Sequence, residues 1–296
     1  MSQNTVSLQL TKDQADRLKN ILVGSGWFED SINNEYISLR MKNQKGSVCN
    51  LYTSMKVVFQ GNEDFNILVN NIKGDEELMI ESHLGVDEVG KGDYFGPLVI
   101  VSCFVNSDFL REFSVLGIGD SKKFSDNSIR KMYEKLKSYK YCYHSVLDPS
   151  EYNRQYKELK NVAIMLAKQH SKVIEMGLND LKNKNIDCKK VVIDQFSSKE
   201  SRVIDELGPL AKEIEFVQFH KGESDLAVAA ASIIARGIFL EEMEKLNKKY
   251  YFNFPKGASN VISSAQEFVK KHGSKELESV AKISFKTTKK VMQASF

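Results

Sequence analysis

Gly85-Val-Asp-Glu-Val-Gly-Lys-Gly-Asp-Tyr-Phe-Gly-Pro97 runs straight into Leu98-Val-Ile-Val-Ser-Cys-Phe-Val105. The stretch reads as two strands, near 84–89 and 95–105, joined by a glycine turn. Two adjacent carboxylates, Asp87 and Glu88, close the first strand. An isolated acidic pair usually decorates a solvated surface, but this one lies between His83-Leu84-Gly85-Val86 and the turn Gly90-Lys91-Gly92. Carboxylates on a buried strand are costly unless a cation neutralises them. A divalent metal answers that need, and Gly90 and Gly92 let a phosphate come close to backbone N–H groups. The combination points to metal-dependent phosphodiester chemistry. Neighbouring strand residues face opposite ways, so a site shared by Asp87 and Glu88 predicts a bend in the strand.

Two acids further along are candidates for the same site. Val191-Val-Ile-Asp-Gln-Phe196 places Asp194 at the C-terminal end of a β-branched run, the end of a strand where α/β sheets gather ligands. Strand termination or helix capping explains a single Asp there equally well. Phe219-His-Lys-Gly-Glu-Ser-Asp-Leu226 precedes Ala227-Val-Ala-Ala-Ala-Ser-Ile-Ile-Ala-Arg236. The alanines make a narrow helix face suited to tight packing on a sheet. Glu223 then falls at the helix N-terminus, where the dipole favours an anion. Simple capping by Glu223, Ser224 or Asp225 is the plainer account of that segment alone, and Asp225 is the rival of Glu223.

These motifs together resemble the type 2 ribonucleases H. That family carries Asp-Glu, a Gly-Arg-Gly or Gly-Lys-Gly turn, and Gly-Pro before a strand. It then has an acid after a later strand and Lys-x-Asp or Lys-x-Glu before an alanine-rich helix. The lysine in the turn, the Asp93-Tyr-Phe95 that follows and the extra N-terminal segment are similar to ribonuclease HIII rather than HII. The resemblance implies a ribonuclease H-like mixed sheet flanked by helices. It implies that Asp87, Glu88, Asp194 and Glu223 are the catalytic acids and hold two Mg2+ or Mn2+ ions. It implies cleavage of the RNA strand of RNA/DNA hybrids, leaving 5′-phosphate and 3′-hydroxyl ends. The turn Gly90, Lys91 and Gly92 is expected to meet the 2′-hydroxyl that separates RNA from DNA. Gly119-Asp-Ser-Lys-Lys-Phe124 is expected near the substrate backbone through Ser121, Lys122 and Lys123. Phe254–Gly257 and Phe285–Lys290 also resemble family segments, with Lys286, Thr287, Thr288 and Lys289 as candidates for the DNA strand.

Outward from this centre, the 296 residues hold enough chain for one large domain or two ordinary ones. The pattern changes near Lys73-Gly-Asp-Glu-Glu77. We therefore expect an N-terminal α+β domain over 1–73, a linker over 74–82 and the catalytic domain over 83–296. In the first, Ser7–Leu10 reads as a strand, Thr11 caps a helix through Gly24, and strands follow near 35–43 and 46–60. Alternation there leaves Tyr36, Arg40, Lys42 and Tyr52 on the polar sheet face, a mixture suited to nucleic acid and equally to a plain solvated face. The family resemblance adds that this domain is similar to a TATA-binding-protein half-fold and holds substrate. In the catalytic domain, further strands are expected near 140–147, 189–194 and 214–219, with helices near 126–138, 150–184 (one helix or two), 199–212 and 225–248.

Composition narrows the classes. A hydrophobic share of 42% and a charged share of 27% belong to soluble globular chains. No apolar run is long enough to span a membrane, and the N-terminus lacks a signal-peptide layout. Four scattered cysteines without a C-x-x-C read as reduced thiols in a cytoplasmic protein. The net charge of +3 permits phosphate binding without demonstrating it. The five histidines form no ligand pattern and read as core or surface residues. A monomer acting on hybrid nucleic acid is expected. A non-catalytic hybrid-binding protein is the rival from another class, and clustered negative charge beside phosphates argues against it. A P-loop enzyme is excluded, because no G-x-x-x-x-G-K-[ST] occurs.

Overall fold

Thr11 starts the first helix with a reciprocal pair of hydrogen bonds. Its hydroxyl accepts from the Gln14 amide, while the Gln14 side chain accepts from the Thr11 N–H. The computed structural model describes residues 4–73, 80–113, 116, 118, 121, 124–194, 201–219 and 225–293. The chain divides into two compact units, Met1–Ile80 with Ser107–Val115, and Glu81–Asn106 with Leu116–Phe296. Most of the expected linker, residues 74–79, lies outside the described residues.

The N-terminal unit contains β1 (Asn4–Gln9), α1 (Lys12–Gly24), β2 (Trp27–Glu29), β3 (Ile37–Asn43), β4 (Val48–Tyr52), β5 (Lys56–Gly61) and α2 (Asn66–Lys73). Its five strands form one antiparallel sheet in the order β1-β5-β4-β3-β2. Leu18 and Leu22 of α1 pack with Met41, Cys49, Val57, Phe59 and Ile72 in one core. The single strand expected over 46–60 is two, folded back at Met55, whose φ is +63°. The sequence reading has no counterpart of β2 or α2. Helix α3 (Ser107–Phe113) groups with this unit, although the reading assigns residues 83–296 to the second.

The second unit is built on β6 (His83–Val89), β7 (Leu98–Val105), β8 (Cys142–Leu147), β9 (Lys190–Asp194) and β10 (Glu215–Phe219). They form a mixed sheet in the order β10-β9-β6-β7-β8, with β6, β7 and β8 antiparallel and β9 and β10 parallel to β6. Helix α4 (Asp126–Leu136) follows a Ser125 cap. The stretch expected as one or two helices is two: α5 (Pro149–Leu159) ends at Lys160 in left-handed backbone, and Asn161 caps α6 (Val162–Asn183). Then come the short α7 (Ser201–Glu206), the long α8 (Leu226–Tyr250), α9 (Ile262–His272) and α10 (Lys286–Gln293). No helix among the described residues is long and apolar enough to cross a membrane.

The period-2 alternation of β6 decides what the sheet faces. Leu84 and Val86 enter the apolar core with Met165, Leu166, Val173 and Ile174 of α6. Gly85 faces the other way, against the start of α8. A Cβ at Gly85 would sit 2.2 Å from the Ala227 carbonyl carbon and from the Val228 nitrogen. The alanine-rich opening of α8 thus lies directly on the strand that carries Asp87 and Glu88.

Candidate active site

Strands β6 and β9 run parallel, and β9 ends at Asp194 while β6 continues to Val89. Val86 is paired with Ile193, so Asp87 and Asp194 occupy the next position on neighbouring strands. Asp87 continues the Gly85 face toward α8, where the hydroxyl of Ser232 donates to its carboxylate. Glu88 continues the Leu84 face toward α6, and its Oε2 lies 3.2 Å from Nε2 of the buried His170. The Glu88 N–H donates to Asp87 Oδ1 at 2.8 Å. The expected bend is absent: β6 stays paired with β7 through Val89 and Val99, and the chain turns only at Gly90, with φ +97°. Regular pleating aims the two carboxylates at opposite faces, and they act on one another because both lie at the strand end.

Burial, followed by the neighbouring Glu88 charge, raises the Asp87 carboxyl from its ordinary value to about 7. The bonds from Ser232 and the Glu88 N–H oppose the rise, and the charge of Asp194 adds to it. No three Asp, Glu, His or Cys side chains among the described residues form a group able to hold a metal ion. Glu223, the fourth expected acid, lies outside the described residues, as do Lys122 and Lys123.

Asp225, the rival of Glu223, has other work. It caps α8 by accepting from the Ala227 and Val228 amides, and its carboxylate lies 2.9 Å from Nε2 of His83. Burial works against charge on both partners, and their mutual bond overcomes it, so His83 is raised and Asp225 lowered. In the turn, Lys91 Nζ approaches Glu88 Oε1 to 3.7 Å. Ser121 is buried with its hydroxyl 2.6 Å from that of Ser232, and Arg236 of α8 donates to its carbonyl. The Gly257 N–H donates to Asp93 and the hydroxyls of Thr288 and Tyr94 are bonded, which ties these segments to the loop after the turn, while the Thr287 hydroxyl donates to the Ala258 carbonyl.

His170 and Ser232 are the site neighbours that the sequence reading missed. Their signal was a polar residue at a core position of a periodic helix: His170 follows Leu166 and precedes Val173 and Ile174, and Ser232 ends an alanine run. In the N-terminal unit by itself, exposed Lys42 lies on the sheet face opposite the core, whereas Tyr36 (63% exposed) precedes β3, and a bulge between Ile37 and Leu39 breaks the alternation expected to align it with Arg40 and Lys42. Phe28, half exposed, pairs with Lys42 across the strands. Arg40 on the same face is engaged by Asp30 at 3.0 Å and Asn50 at 2.9 Å, and Tyr52 is half-buried.

Comparison with known proteins supplies the family. A family model described as Ribonuclease HII matches residues 84–288. Ribonuclease HIII of Protochlamydia amoebophila (strain UWE25) is 35% identical over 258 residues, covering 82% of this chain and 83% of the relative. Ribonuclease HIII of Chlamydia pneumoniae is 34% identical, covering 81% and 83%. The crystal structure of Bst-RNase HIII in complex with Mn2+ is similar with a TM-score of 0.68 and 28% identity, covering 99% of each chain. The matched region spans the β6–β10 sheet from Leu84 onward with its strand-end acids, and on these grounds the chain belongs to the type 2 ribonuclease H family, among the ribonuclease HIII enzymes, as a ribonuclease H endonuclease.

Proposed function

We propose that the chain hydrolyses the RNA strand of RNA/DNA hybrids by in-line attack of water, leaving 5′-phosphate and 3′-hydroxyl ends. The observation that carries this reading is the placement of Asp87 beside Asp194 on neighbouring strands β6 and β9, with Glu88 next along β6, where burial and then the Glu88 charge raise Asp87 to about 7. Carboxylates that raise one another in this way favour a cation that neutralises them. The donors are carboxylate oxygens, which suit the hard ions Mg2+ and Mn2+, and the similar Bst-RNase HIII binds Mn2+. Asp87, Glu88, Asp194 and Glu223 would hold the metal, as two ions. When bound, such ions supply an activated water and stabilise charge on the leaving oxygen.

The remaining roles belong to the chain's own groups. Ser232 and the Glu88 N–H hold the Asp87 carboxylate, and His170 fixes that of Glu88. Outer partners of this kind set ligand orientation. Backbone groups of Gly90, Lys91 and Gly92 meet the ribose 2′-hydroxyl beside the acids, and Lys122 and Lys123 bind phosphates. The surface of the N-terminal unit with Tyr36, Arg40, Lys42 and Tyr52 adds affinity for the hybrid. The enzyme works as a cytoplasmic monomer.

An end-labelled panel tests the reading. It comprises an RNA/DNA hybrid, a duplex with one embedded ribonucleotide, double-stranded DNA and double-stranded RNA, each with Mg2+, Mn2+ or EDTA. We expect cutting at many sites in the hybrid's RNA strand alone, lost in EDTA. Preferred cutting at the single ribonucleotide would instead assign HII-like specificity. Binding of hybrid without cleavage in either metal would contradict the enzymatic reading.

A further inference from the structure

A fully buried lysine lies beneath the loop that joins β6 to β7. Lys282 has no solvent exposure. Its Nζ donates to the carbonyl oxygens of Asp93 at 3.0 Å and Gly96 at 2.7 Å, and lies 5.7 Å from the centre of the Tyr152 ring. The two carbonyls belong to the exit half of the loop whose entry half is Gly90-Lys91-Gly92. Without a donor they would be buried acceptors left unmatched, a costly arrangement. A single backbone N–H could not serve both.

The support behind Lys282 is rigid. Its own N–H donates to the Tyr94 carbonyl at 2.8 Å, and the Gly96 N–H donates to Val280 at 3.0 Å. Phe95 and Ala281 form an antiparallel bridge. Asn153 of α5 grips this strip from behind, donating to the carbonyls of Glu278 and Ala281 and accepting from the Ile283 N–H. The entry and exit of the loop also touch: a Cβ at Gly90 would lie 2.1 Å from the Pro97 carbonyl oxygen. A shift at Gly96 would therefore pass to Gly90.

We infer that Lys282 is a positioning residue, whose ammonium group sets the placement of the Gly90–Gly92 turn against the scissile ribose through the carbonyls of Asp93 and Gly96. The inference rests on the reading of that turn as the ribose contact. Burial depresses the amine to about 7, with the Asp93 charge opposing. A neutral amine still has two N–H donors, so the clamp holds in either protonation state.

The test compares full-length wild type, Lys282→Met and Lys282→Gln at 20 °C on a hybrid with Mg2+. Active-site concentration is normalised to the folded fraction, and amide exchange is followed across residues 91–96 in parallel. For Lys282→Met we expect kcat to fall about 10- to 100-fold, the scale of a small misplacement of reacting groups. Hybrid affinity should change less than about 3-fold, because phosphate contacts elsewhere dominate it. Amides of 91–96 should exchange faster while those of β6 and β7 keep their protection. Lys282→Gln keeps N–H donors on a shorter side chain and should show the same split with a smaller loss; it decides the matter if the Met variant does not fold. An unchanged kcat per folded molecule, with only the thermal midpoint lowered, would overturn the inference. A wild type that never cleaves hybrid would overturn the functional reading itself and the turn's role with it, whatever the exchange rates.

Discussion

Asp87 holds more protons in the folded chain than in the unfolded one between its ordinary 3.8 and about 7. Stability therefore falls as pH rises through that window. In EDTA at pH 8, Asp87→Asn is predicted to be more stable than wild type by about 1–3 kcal/mol, allowing for partial solvent access. The gain should shrink toward pH 5, and urea denaturation at the two pH values checks it. Saturating Mg2+ should raise the wild-type midpoint by ligand linkage and leave the variant's unmoved. The His83–Asp225 pair has a different window. His83 is raised, so its share is present below its ordinary 6.5 and lost as pH climbs through the folded value. Asp225 is lowered, so its share is present above 3.8 and lost as pH falls through the folded value. Asp225→Asn keeps a capping side chain and should cost about 1–3 kcal/mol at pH 6 and less at pH 9, again by denaturation.

At the scale of elements, the site depends on how closely α8 lies on β6. Gly85→Ala would drive a methyl group into the Ala227–Val228 backbone. The expected cost is about 1–3 kcal/mol of stability, together with loss of cleavage as Asp87 is displaced from Ser232; parallel calorimetry and turnover assays measure both. Much of this element was legible beforehand. The alanine run marked a close-packed helix, Val191–Asp194 marked a strand ending in an acid, and Thr11 marked the cap of a helix. What escaped has physical reasons. Trp27–Glu29 is too short to show a period. Met55 and Lys160 take left-handed backbone where no glycine or asparagine announces a turn. Lys282 gave no signal, because nothing local tells a buried lysine from the solvated lysines around it. The strand bend was expected from two adjacent acids, yet the sheet keeps its pleat and places them near the end of its central strand.

For the whole molecule, every described member of the acid cluster lies in the second unit, while the N-terminal unit offers an aromatic and basic sheet face. If that face adds affinity, Phe28→Ala with Lys42→Ala should raise KM for hybrid about 10-fold with kcat nearly unchanged. A lost stacking contact is worth about 1–3 kcal/mol, and the salt dependence of binding should flatten by about one phosphate contact. Steady-state kinetics at two salt concentrations decide this. The central claim is that the strand-end acids are a metal-dependent hydrolytic site. Its most direct test is cleavage of one labelled RNA/DNA hybrid by wild type, Asp87→Asn and Asp225→Asn in Mg2+, with the product ends mapped. Wild type and Asp225→Asn should both yield 5′-phosphate and 3′-hydroxyl ends, while Asp87→Asn stays folded and loses cleavage by about 1,000-fold or more, the scale of a group essential to the chemical step. A folded Asp87→Asn that cuts as wild type does would contradict the account.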